Sequence, residues 1–305
     1  MKTILVTGAT GFIGRHTVRP LVERGYSVHA ISTTPAPRLD PDVHWHGYDM
    51  LRDGGHDDLL AEIRPTHLLH LAWYTEHRVC YAAPINLEWV AASLRLLLSF
   101  QRQGGERVVV AGTCAEYDWD YGFCSETLTP IRPATLYGKA KDALRRLVEG
   151  LAQEKGLSAA WARVFFVYGP FEDPNRLVPS VTRSLIDDQP VLCTHGEQLR
   201  DFLHVQDVAD ALVQLLDSDV TGAVNVGSGV PVTVKAVVQE IARQISGEHV
   251  IHYGAVPLGP SEPPLLVADN RRLTQEVGWK SSFTLSTGLG ESIKWWQTRA
   301  ARPSE

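Results

Sequence analysis

Hydrophobic positions along the chain fall into two kinds of segment that alternate. Short apolar runs rich in Val, Ile and Leu occur at 4–7, 27–31, 67–72, 107–111 and 159–166. Between them lie stretches whose apolar residues recur with the period of an α-helix, such as 85–103 and 134–153. Strands that are apolar on both faces and separated by helices form a parallel sheet covered on both sides. The pattern therefore predicts a doubly wound α/β domain.

The alternation becomes irregular after about residue 166. Turn-forming residues crowd 168–175, and the pattern beyond them predicts a helix, two short strands and further helices. The stretch 201–216 has a helical apolar stripe that favours its return to the sheet. We expect a sheet lobe over 1–165 plus about 201–222. A smaller C-terminal α+β lobe is expected over 166–200 and 223–305.

Composition and charge narrow the class of protein. The chain of 305 residues is 44% hydrophobic and 21% charged, as is typical of a globular protein with a large core. Its formal net charge of -6 argues against a broad basic surface for nucleic acid or anionic lipid. We see neither a signal-peptide pattern nor an apolar run of membrane length. The four cysteines lie far apart, so we expect no metal site and a reducing cytoplasm.

The first predicted strand is followed by a glycine-rich turn and the start of a helix. Gly8, Gly11 and Gly14 follow the strand at 4–7 with the spacing GxxGxxG. Gly8 would permit the tight turn, Gly11 the approach of backbone N–H groups to a pyrophosphate, and Gly14 the close packing of helix on strand. The position of this loop in the first βα unit predicts a dinucleotide site.

The end of the second strand bears on the choice of dinucleotide. An acidic residue there would bind the ribose 2′-hydroxyl, but the run ends in Ser32 and is followed by Arg38, with Arg15 just past the third glycine. Hydroxyls and an arginine favour NADP. Alternatively, Ser32 is a neutral turn residue and NAD is also accepted. Asp49, after the third strand, would bind the adenine amino group or cap the next turn.

Tyr137 and Lys141 are spaced i, i+4 and would share one face of a helix. An ammonium beside a phenol stabilises the phenolate, so we expect a lowered pKa for Tyr137 and a role in proton transfer. Lys141 would also hold the nicotinamide ribose. Thr113 follows the strand at 107–111, at the edge where such sheets bind ligands, and would bond a substrate carbonyl oxygen.

Several motifs together resemble those of the extended short-chain dehydrogenase/reductases, the NAD-dependent epimerase/dehydratase family that acts on nucleotide sugars. The motifs are TGATGFIG at 7–14, HLAW at 70–73, GTCAEY at 112–117, YGKAK at 137–141, RVFFVYGP at 163–170, RDFLHVQD at 200–207 and NVGSG at 225–229. This resemblance covers nearly the whole chain. It implies a Rossmann lobe, a smaller lobe that binds the nucleoside diphosphate, and hydride transfer at a sugar carbon by Thr113, Tyr137 and Lys141.

The resemblance also implies further contacts. Cofactor contacts are expected from Gly8, Thr10, Gly11, Phe12, Ile13, Gly14, Leu71, Ala72, Trp73, Asn86 and Phe165, in addition to Ser32, Arg38, Asp49, Tyr137 and Lys141. Substrate contacts are expected from Tyr74, Cys114, Phe166, Leu177, Val178 and Arg200, with Arg200 on the diphosphate. Leu177 and Val178 are equally compatible with an ordinary helix start, and Cys114 with a buried filler or a reactive thiol. Arg271 or Arg272 would supply a second diphosphate contact. Family members commonly form a homodimer through a four-helix bundle, which here implies the helices at 85–103 and 134–153.

Differences from family patterns narrow the reaction. Cys114 and Ala115 stand where 4,6-dehydratases have Asp-Glu, and Ala115 also stands where enzymes that epimerise C3 and C5 have a cysteine base. Phe166 stands where 4-epimerases often have Asn. The segments 112–117, 161–166 and 196–201 are similar to NADP-dependent 4-ketoreductases of dTDP-6-deoxy sugars, of the dTDP-6-deoxy-talose 4-dehydrogenase type. We therefore expect NADPH-dependent reduction of an NDP-4-keto-6-deoxyhexose. The alternatives are an NAD-dependent 4-epimerase and a non-catalytic NADP-binding redox sensor.

Overall fold

The central element of the molecule is a seven-stranded parallel sheet with the strand order β3-β2-β1-β4-β5-β7-β12. The computed structural model describes residues 2–33, 40–54, 56–259 and 262–301. The strands of the sheet are β1 (Thr3–Thr7), β2 (Ser27–Ser32), β3 (His44–Gly47), β4 (His67–His70), β5 (Arg107–Thr113), β7 (Ser158–Val164) and β12 (Gly222–Val226). This architecture confirms the predicted doubly wound α/β fold of the Rossmann type.

Helices cover both faces of this sheet. The helices of the chain are α1 (Gly14–Glu23), α2 (His56–Ile63), α3 (Ile85–Arg102), α4 (Leu136–Lys155), α5 (Leu177–Ile186), α6 (Val205–Asp217), α7 (Val234–Ile245) and α8 (Leu285–Ala300). Helices α1 and α6 pack on one face, and α2, α3 and α4 on the other. The helices predicted at 85–103 and 134–153 are therefore present, with ends shifted by two residues or fewer.

The apolar runs form buried strands because both of their faces are covered. In β1, Ile4 and Val6 join the core beneath α1 and α6, whereas Leu5 joins the core beneath α2, α3 and α4. Neighbouring side chains of a strand point to opposite faces, so a continuous apolar run supplies both cores. Each strand of this kind positions its carboxyl end at the same edge of the sheet.

The smaller lobe is built from short strands and three helices. A four-stranded sheet has the order β13-β10-β15-β6, and two-stranded pairs join β8 to β11 and β9 to β14. These strands are β6 (Phe123–Cys124), β8 (Phe166–Tyr168), β9 (Val191–Leu192), β10 (Leu199–Arg200), β11 (Phe202–His204), β13 (Val232–Thr233), β14 (Ile251–His252) and β15 (Leu265–Ala268). Helices α5, α7 and α8 enclose its apolar core.

Two segments cross the expected division of the chain. Strand β12 pairs in parallel with β7, so the sheet takes in residues 223–226, which were expected in the smaller lobe. Strand β6 comes from the first half of the chain and pairs with β15. Helix α6 returns to the main sheet and packs against α1, as the apolar stripe of 201–216 predicts.

Within the described residues, none of the helices is long and apolar enough to cross a membrane. The four cysteines are buried free thiols. The same part of the chain contains no group of three or more His, Cys, Asp and Glu side chains arranged to hold a metal ion.

Candidate active site

The glycine-rich turn connects β1 to α1 at the carboxyl edge of the sheet. Gly8 has a φ of +70°, and a Cβ atom there would lie 2.7 Å from the backbone N of Ala72. A Cβ atom on Gly14 would lie 2.0 Å from the carbonyl oxygen of Gly8. Neither position accepts a larger residue, because the obstructing atoms belong to the backbone. Thr10, Phe12 and Ile13 complete this half-buried turn.

The N-terminus of α1 is arranged as an anion site. Among the described residues, no side chain caps the helix, whose N-cap position is Ile13. The first N–H groups of a helix have no partner within it and carry the positive end of its dipole. The glycine spacing predicts that the pyrophosphate of a dinucleotide binds at this position.

A buried polar relay fixes the end of β4 beside the glycine turn. The Thr7 hydroxyl accepts hydrogen bonds at 3.1 Å from the N–H groups of Leu71 and Ala72. Its own proton then goes to Nδ1 of His70, 2.7 Å away, and Nε2 of His70 lies 2.8 Å from the Ser93 hydroxyl. Burial, assisted by the charge of Lys141, lowers the pKa of His70 to about 3, so the ring is neutral. This relay was not evident from the sequence, since its members are distant in the chain.

The residues expected near the adenosine half of the dinucleotide are only partly located by the structure. Ser32 is buried at the end of β2, and Arg38 lies outside the described residues. Arg15 donates hydrogen bonds to the carbonyl oxygens of Thr10 at 2.6 Å and Gly11 at 3.2 Å, so its charge is held against the glycine turn. The carboxylate of Asp49 accepts the N–H of Leu51 at 2.9 Å, which is the turn-capping role.

Thr113 and Tyr137 meet at the carboxyl edge of the sheet. Thr113 is the last residue of β5, and Tyr137 lies in the first turn of α4, which begins after the N-cap residue Thr135. Burial raises the pKa of the Tyr137 phenol, and its hydrogen bond with the Thr113 side chain opposes that rise. The lowering of this pKa expected from Lys141 is therefore wrong for this structure, because burial outweighs the effect of Thr113 and the neighbouring Cys80, Tyr81 and Cys114 add to the rise. At neutral pH the phenol is protonated.

Lys141 lies one helical turn beyond Tyr137 and points into the buried side of α4. Its ammonium donates to the carbonyl oxygen of Ala111 at 2.9 Å and lies 3.7 Å from the ring centroid of Trp73. Burial lowers the pKa of Lys141 to about 7, and Glu116 opposes the shift. The ammonium is thus held in place by a strand carbonyl and an aromatic face.

Asn86 supports the residues next to the site. Its side-chain oxygen accepts the indole N–H of Trp73 at 2.8 Å, and its amide donates to the carbonyl oxygens of Cys80 at 2.7 Å and Ala83 at 2.8 Å. These bonds tie the segment after β4 to the start of α3. Asn86 is fully buried, and its bonds in this structure support the neighbouring backbone, while the cofactor contact expected of it stays a prediction.

A buried ion pair lies directly behind Thr113. Glu116 accepts hydrogen bonds from Nε of Arg163 at 2.7 Å, from the Trp161 indole at 2.8 Å and from the Thr113 backbone N–H at 2.9 Å. Arg163 also donates to the Tyr117 hydroxyl at 3.0 Å. Both charged side chains are almost fully inaccessible to solvent. The pairing of Arg163 with Glu116 was not evident from the sequence, because the two residues are distant in the chain and only β7 brings them together.

The side of the site that faces the smaller lobe includes Tyr81, which sequence reasoning missed. Its ring packs edge-on against Tyr137 with centroids 6.0 Å apart, and its carbonyl oxygen accepts the Tyr137 N–H at 3.1 Å. Burial raises the pKa of Tyr81, and Arg176 and Glu262 contribute in opposite directions. Tyr81 therefore lies within reach of charges from the smaller lobe.

Arg200 is buried at the boundary of the two lobes. Its guanidinium donates to Glu262 and to the carbonyl oxygen of Leu199, the latter at 2.8 Å, and lies 5.6 Å from the ring centroid of Phe166. In this structure Glu262 is thus the carboxylate partner of the arginine expected on the diphosphate. Arg271 and Arg272 pair instead with Asp269 and Glu276, away from Arg200.

The other residues expected to contact substrate or cofactor lie in the core, on the surface or at a strand end. Val178 is buried in the core of the smaller lobe, with Leu177 packed at its margin, which favours the interpretation as a helix start. Burial raises the pKa of Cys114, so its thiol is a buried filler rather than a reactive group. Tyr74 donates a hydrogen bond to Glu76 on the surface. Phe165 is buried between β7 and β8.

The fold and the site define a dinucleotide-binding enzyme with a hydroxyl, a phenol and an ammonium at the carboxyl edge of a parallel sheet. The family model described as "NAD dependent epimerase/dehydratase family" matches residues 4–227. The chain belongs to this family. The match identifies the family and does not extend to the 4-ketoreductase type expected within it.

Curated proteins and solved structures similar to this chain agree with the family. UDP-glucose 4-epimerase of Halalkalibacterium halodurans is 26% identical over 96% of this chain and 95% of its own length. CDP-abequose synthase of Salmonella typhimurium is 26% identical over 95% of this chain and 97% of its own. The structure of MoeE5 in complex with UDP-glucuronic acid and NAD is 31% identical, covers 97% of this chain and 99% of its own, and has a TM-score of 0.84. UDP-glucose 4-epimerase of Thermus thermophilus, in complex with NAD, is 26% identical with a TM-score of 0.85 and the same coverage.

Proposed function

We propose that the protein transfers hydride between a nicotinamide dinucleotide and a carbon of a nucleotide-linked sugar. Within this class, the proposed reaction is NADPH-dependent reduction of the 4-keto group of an NDP-4-keto-6-deoxyhexose, with dTDP as the expected nucleotide. The observation that carries the proposal is the meeting of Thr113 and Tyr137 beside Lys141, at the sheet edge where the glycine turn approaches Ala72.

The described residues fit a dinucleotide. The backbone contacts at Gly8 and Gly14 leave no room for a side chain at either position, and no side chain among the described residues caps the N-terminus of α1. Trp73, Ala72 and Phe165 would hold the nicotinamide, with Lys141 on its ribose. When bound, the dinucleotide supplies or accepts the hydride.

A protonated Tyr137 can act as the proton donor that reduction requires. Reduction of a ketone requires a proton donor at the oxygen, whereas oxidation of an alcohol begins with a base. The raised pKa of Tyr137 keeps its phenol protonated, so it can donate to the sugar oxygen while the Thr113 hydroxyl polarises the same carbonyl. Lys141, held by Ala111, supplies the neighbouring positive charge that stabilises the phenolate left behind.

NADP is the proposed cofactor because β2 ends in Ser32, at the position where a carboxylate would bind the ribose 2′-hydroxyl of NAD.

The second candidate function is an NDP-sugar 4-epimerase with bound NAD, which is favoured by the relatives named as UDP-glucose 4-epimerases and by structures containing NAD. A non-catalytic sensor is the third candidate, but it would not require the Thr113, Tyr137 and Lys141 arrangement.

The discriminating experiment measures cofactor and product together. We expect the purified protein to oxidise NADPH in the presence of dTDP-4-keto-6-deoxyglucose, with one reduced sugar formed per NADPH as identified by NMR. Tyr137→Phe should lower kcat by at least about 100-fold, whereas Tyr121→Phe, on an exposed residue, should leave it unchanged. Conversion of UDP-glucose to UDP-galactose with retained NAD and no NADPH consumption would instead establish the epimerase. Binding of NADP without turnover of either substrate would favour the sensor.

A homodimer through α3 and α4 is part of the proposal. These two helices pack side by side, and they expose Leu87, Leu98 and Leu147 to solvent in the single chain. Exposed leucines on adjacent helices supply the apolar surface that a four-helix bundle buries.

The four buried free thiols are compatible with the proposed reducing cytoplasm.

A further inference from the structure

A cleft between the two lobes combines three arginines with three aromatic rings. It is about 390 Å³ in volume and is lined by Arg15, Phe171, Glu172, Pro174, Arg183, Trp295, Trp296 and Arg299. Helix α1 contributes Arg15, α5 contributes Arg183, and α8 contributes Trp295, Trp296 and Arg299. The segment after β8 contributes Phe171, Glu172 and Pro174. Thr113, Tyr137 and Lys141 are not part of this lining, which we call the arginine cleft.

Within the described residues, no ion pair neutralises the positive charge of the arginine cleft. Among the residues that the structure describes, Arg15, Arg183 and Arg299 form no salt bridge. Burial lowers the pKa of Arg15, and the charge of Arg299 lowers it further, so the two guanidinium groups repel each other. The sole carboxyl of the lining is Glu172, and burial raises its pKa to about 8. At neutral pH the arginine cleft therefore has a strong positive potential.

The aromatic rings orient the guanidinium groups. The Cζ atom of Arg15 lies 4.0 Å from the ring centroid of Phe171, that of Arg299 lies 4.8 Å from the ring of Trp295, and that of Arg183 lies 5.5 Å from the ring of Trp296. A guanidinium over a ring is attracted to the π face and keeps its N–H donors in its own plane. Two donors of Arg15 bond backbone carbonyl oxygens, whereas Arg183 and Arg299 form no side-chain hydrogen bond within the described residues.

Two features of the segment after β8 point to a ligand. Oε2 of Glu172 is buried and has no hydrogen-bond partner in the described part of the chain, and only 5% of the residue is exposed. An unsatisfied buried polar atom destabilises the folded chain, so a partner is expected for it. Phe171 has a φ of +71° and is 42% exposed, and a bulky residue rarely adopts that backbone conformation. Such a conformation is often maintained at binding sites.

We propose that the arginine cleft binds a small phosphate-type polyanion that bridges the two lobes. Its oxygens accept the in-plane donors of Arg15, Arg183 and Arg299, and the carboxyl proton of Glu172 is donated to one of them. Arg15 also bonds the carbonyl oxygens of Thr10 and Gly11, so the ligand would contact the glycine turn through a single side chain. By reciprocity, occupancy of the cleft and of the dinucleotide site would influence each other.

The test uses inorganic tripolyphosphate as the probe and the full-length protein saturated with NADP. Isothermal titration should give binding that weakens with salt, as expected for a charged ligand. Arg183→Gln combined with Arg299→Gln should weaken binding at least tenfold, because each removes a charge-assisted contact. Arg102→Gln, on the exposed end of α3, removes one such charge elsewhere and should alter the affinity less than twofold. Neither arginine of the double variant belongs to the proposed catalytic or cofactor residues.

Several outcomes would overturn the proposal. Absence of tripolyphosphate binding to the wild type, or equal affinity in the wild type and the double variant, would show that the arginine cleft is not the site. An equal loss in Arg102→Gln would show a general charge effect. Trp296→Phe provides a second readout, since ligand-dependent quenching of tryptophan fluorescence should decrease in this variant if the probe binds in the cleft. These measurements do not depend on which sugar the enzyme uses.

Discussion

The backbone N–H of Thr113 donates a hydrogen bond of 2.9 Å to the carboxylate of Glu116, whose other oxygen binds Arg163 at 2.7 Å. The buried ion pair therefore holds the strand end that carries the candidate catalytic hydroxyl. Glu116 is a positioning residue, since it acts on the site through the backbone of Thr113.

Replacing Glu116 by alanine should be among the most damaging single changes in the protein. It would leave Arg163 buried without its carboxylate, and breaking a buried pair in this way costs about 3–5 kcal/mol. Urea unfolding of Glu116→Ala should show that loss. The isosteric Glu116→Gln should lose less, because it retains an acceptor oxygen. Glu154→Ala, on the exposed surface of α4, should change stability by less than about 0.5 kcal/mol. Similar stability for Glu116→Ala and Glu154→Ala would contradict the assigned role.

Gly14→Ala should disrupt the glycine turn. The added methyl group would lie 2.0 Å from the carbonyl oxygen of Gly8, so the turn must move. We expect the affinity for NADPH, followed by its fluorescence, to fall at least about tenfold, which corresponds to about 1.4 kcal/mol. The matched control is Gly150→Ala in α4, where no atom lies within 4 Å of the added methyl group. That variant should keep its affinity and gain about 0.5–1 kcal/mol of stability. Unaltered NADPH binding by Gly14→Ala would place the pyrophosphate elsewhere.

Lys141→Met should stabilise the fold while abolishing activity. The folded pKa of about 7 lies below the ordinary value of 10.5, so the unfolded chain binds the extra proton and burial of this ammonium costs stability. The cost is fully present below pH 7 and decreases as pH rises towards 10.5. Methionine should therefore raise the free energy of unfolding by about 1–3 kcal/mol at pH 7, and by less at pH 9.5. A stability gain independent of pH, or a loss, would refute this assignment.

His29 should make the folded chain sensitive to acid. Its ring stacks on His44 and His46, and burial followed by these neighbours lowers its pKa to about 4. The unfolded chain therefore binds the proton first as pH falls below 6.5, so the stability present above that pH is lost towards pH 4. With allowance for solvent screening, His29→Gln should gain about 1 kcal/mol relative to wild type between pH 7 and pH 5.

The control for this prediction is the exposed surface residue His249. Urea unfolding at several pH values should show no comparable relative gain for His249→Gln. If the difference between wild type and His29→Gln does not vary with pH, the stacked histidines do not titrate as described.

The proposed dimer can be disrupted from either helix. Leu87 of α3 is 58% exposed and Leu147 of α4 is 50% exposed, so a charge at either position is tolerated in the monomer but not in an apolar interface. We expect Leu87→Glu and Leu147→Glu to sediment as monomers. Leu128→Glu, at a residue that is 79% exposed outside both helices, should remain a dimer. A monomeric wild type, or dimeric variants at all three positions, would rule out this interface.

Much of the sheet lobe could be predicted because its signals are local. The apolar runs correspond to strands, and the helices at 85–103 and 134–153 were placed to within two residues, since periodicity is read over short stretches. The division of the chain into two lobes was harder to predict from the sequence, because a five-residue strand such as β12 can pair in either lobe. The lowered pKa expected for Tyr137 was wrong because spacing reveals a neighbouring lysine but not the burial of the phenol.

The sequence by itself determined the order of strands and helices, the glycine turn and the i, i+4 placement of Tyr137 and Lys141. Only the tertiary structure decided that Arg163 reaches Glu116, that His70 joins Thr7 to Ser93, and that arginines from three helices line one cleft. The physical reason is range. Backbone periodicity and turn chemistry act over a few residues, whereas burial and charge pairing depend on which distant segments the folded chain brings together.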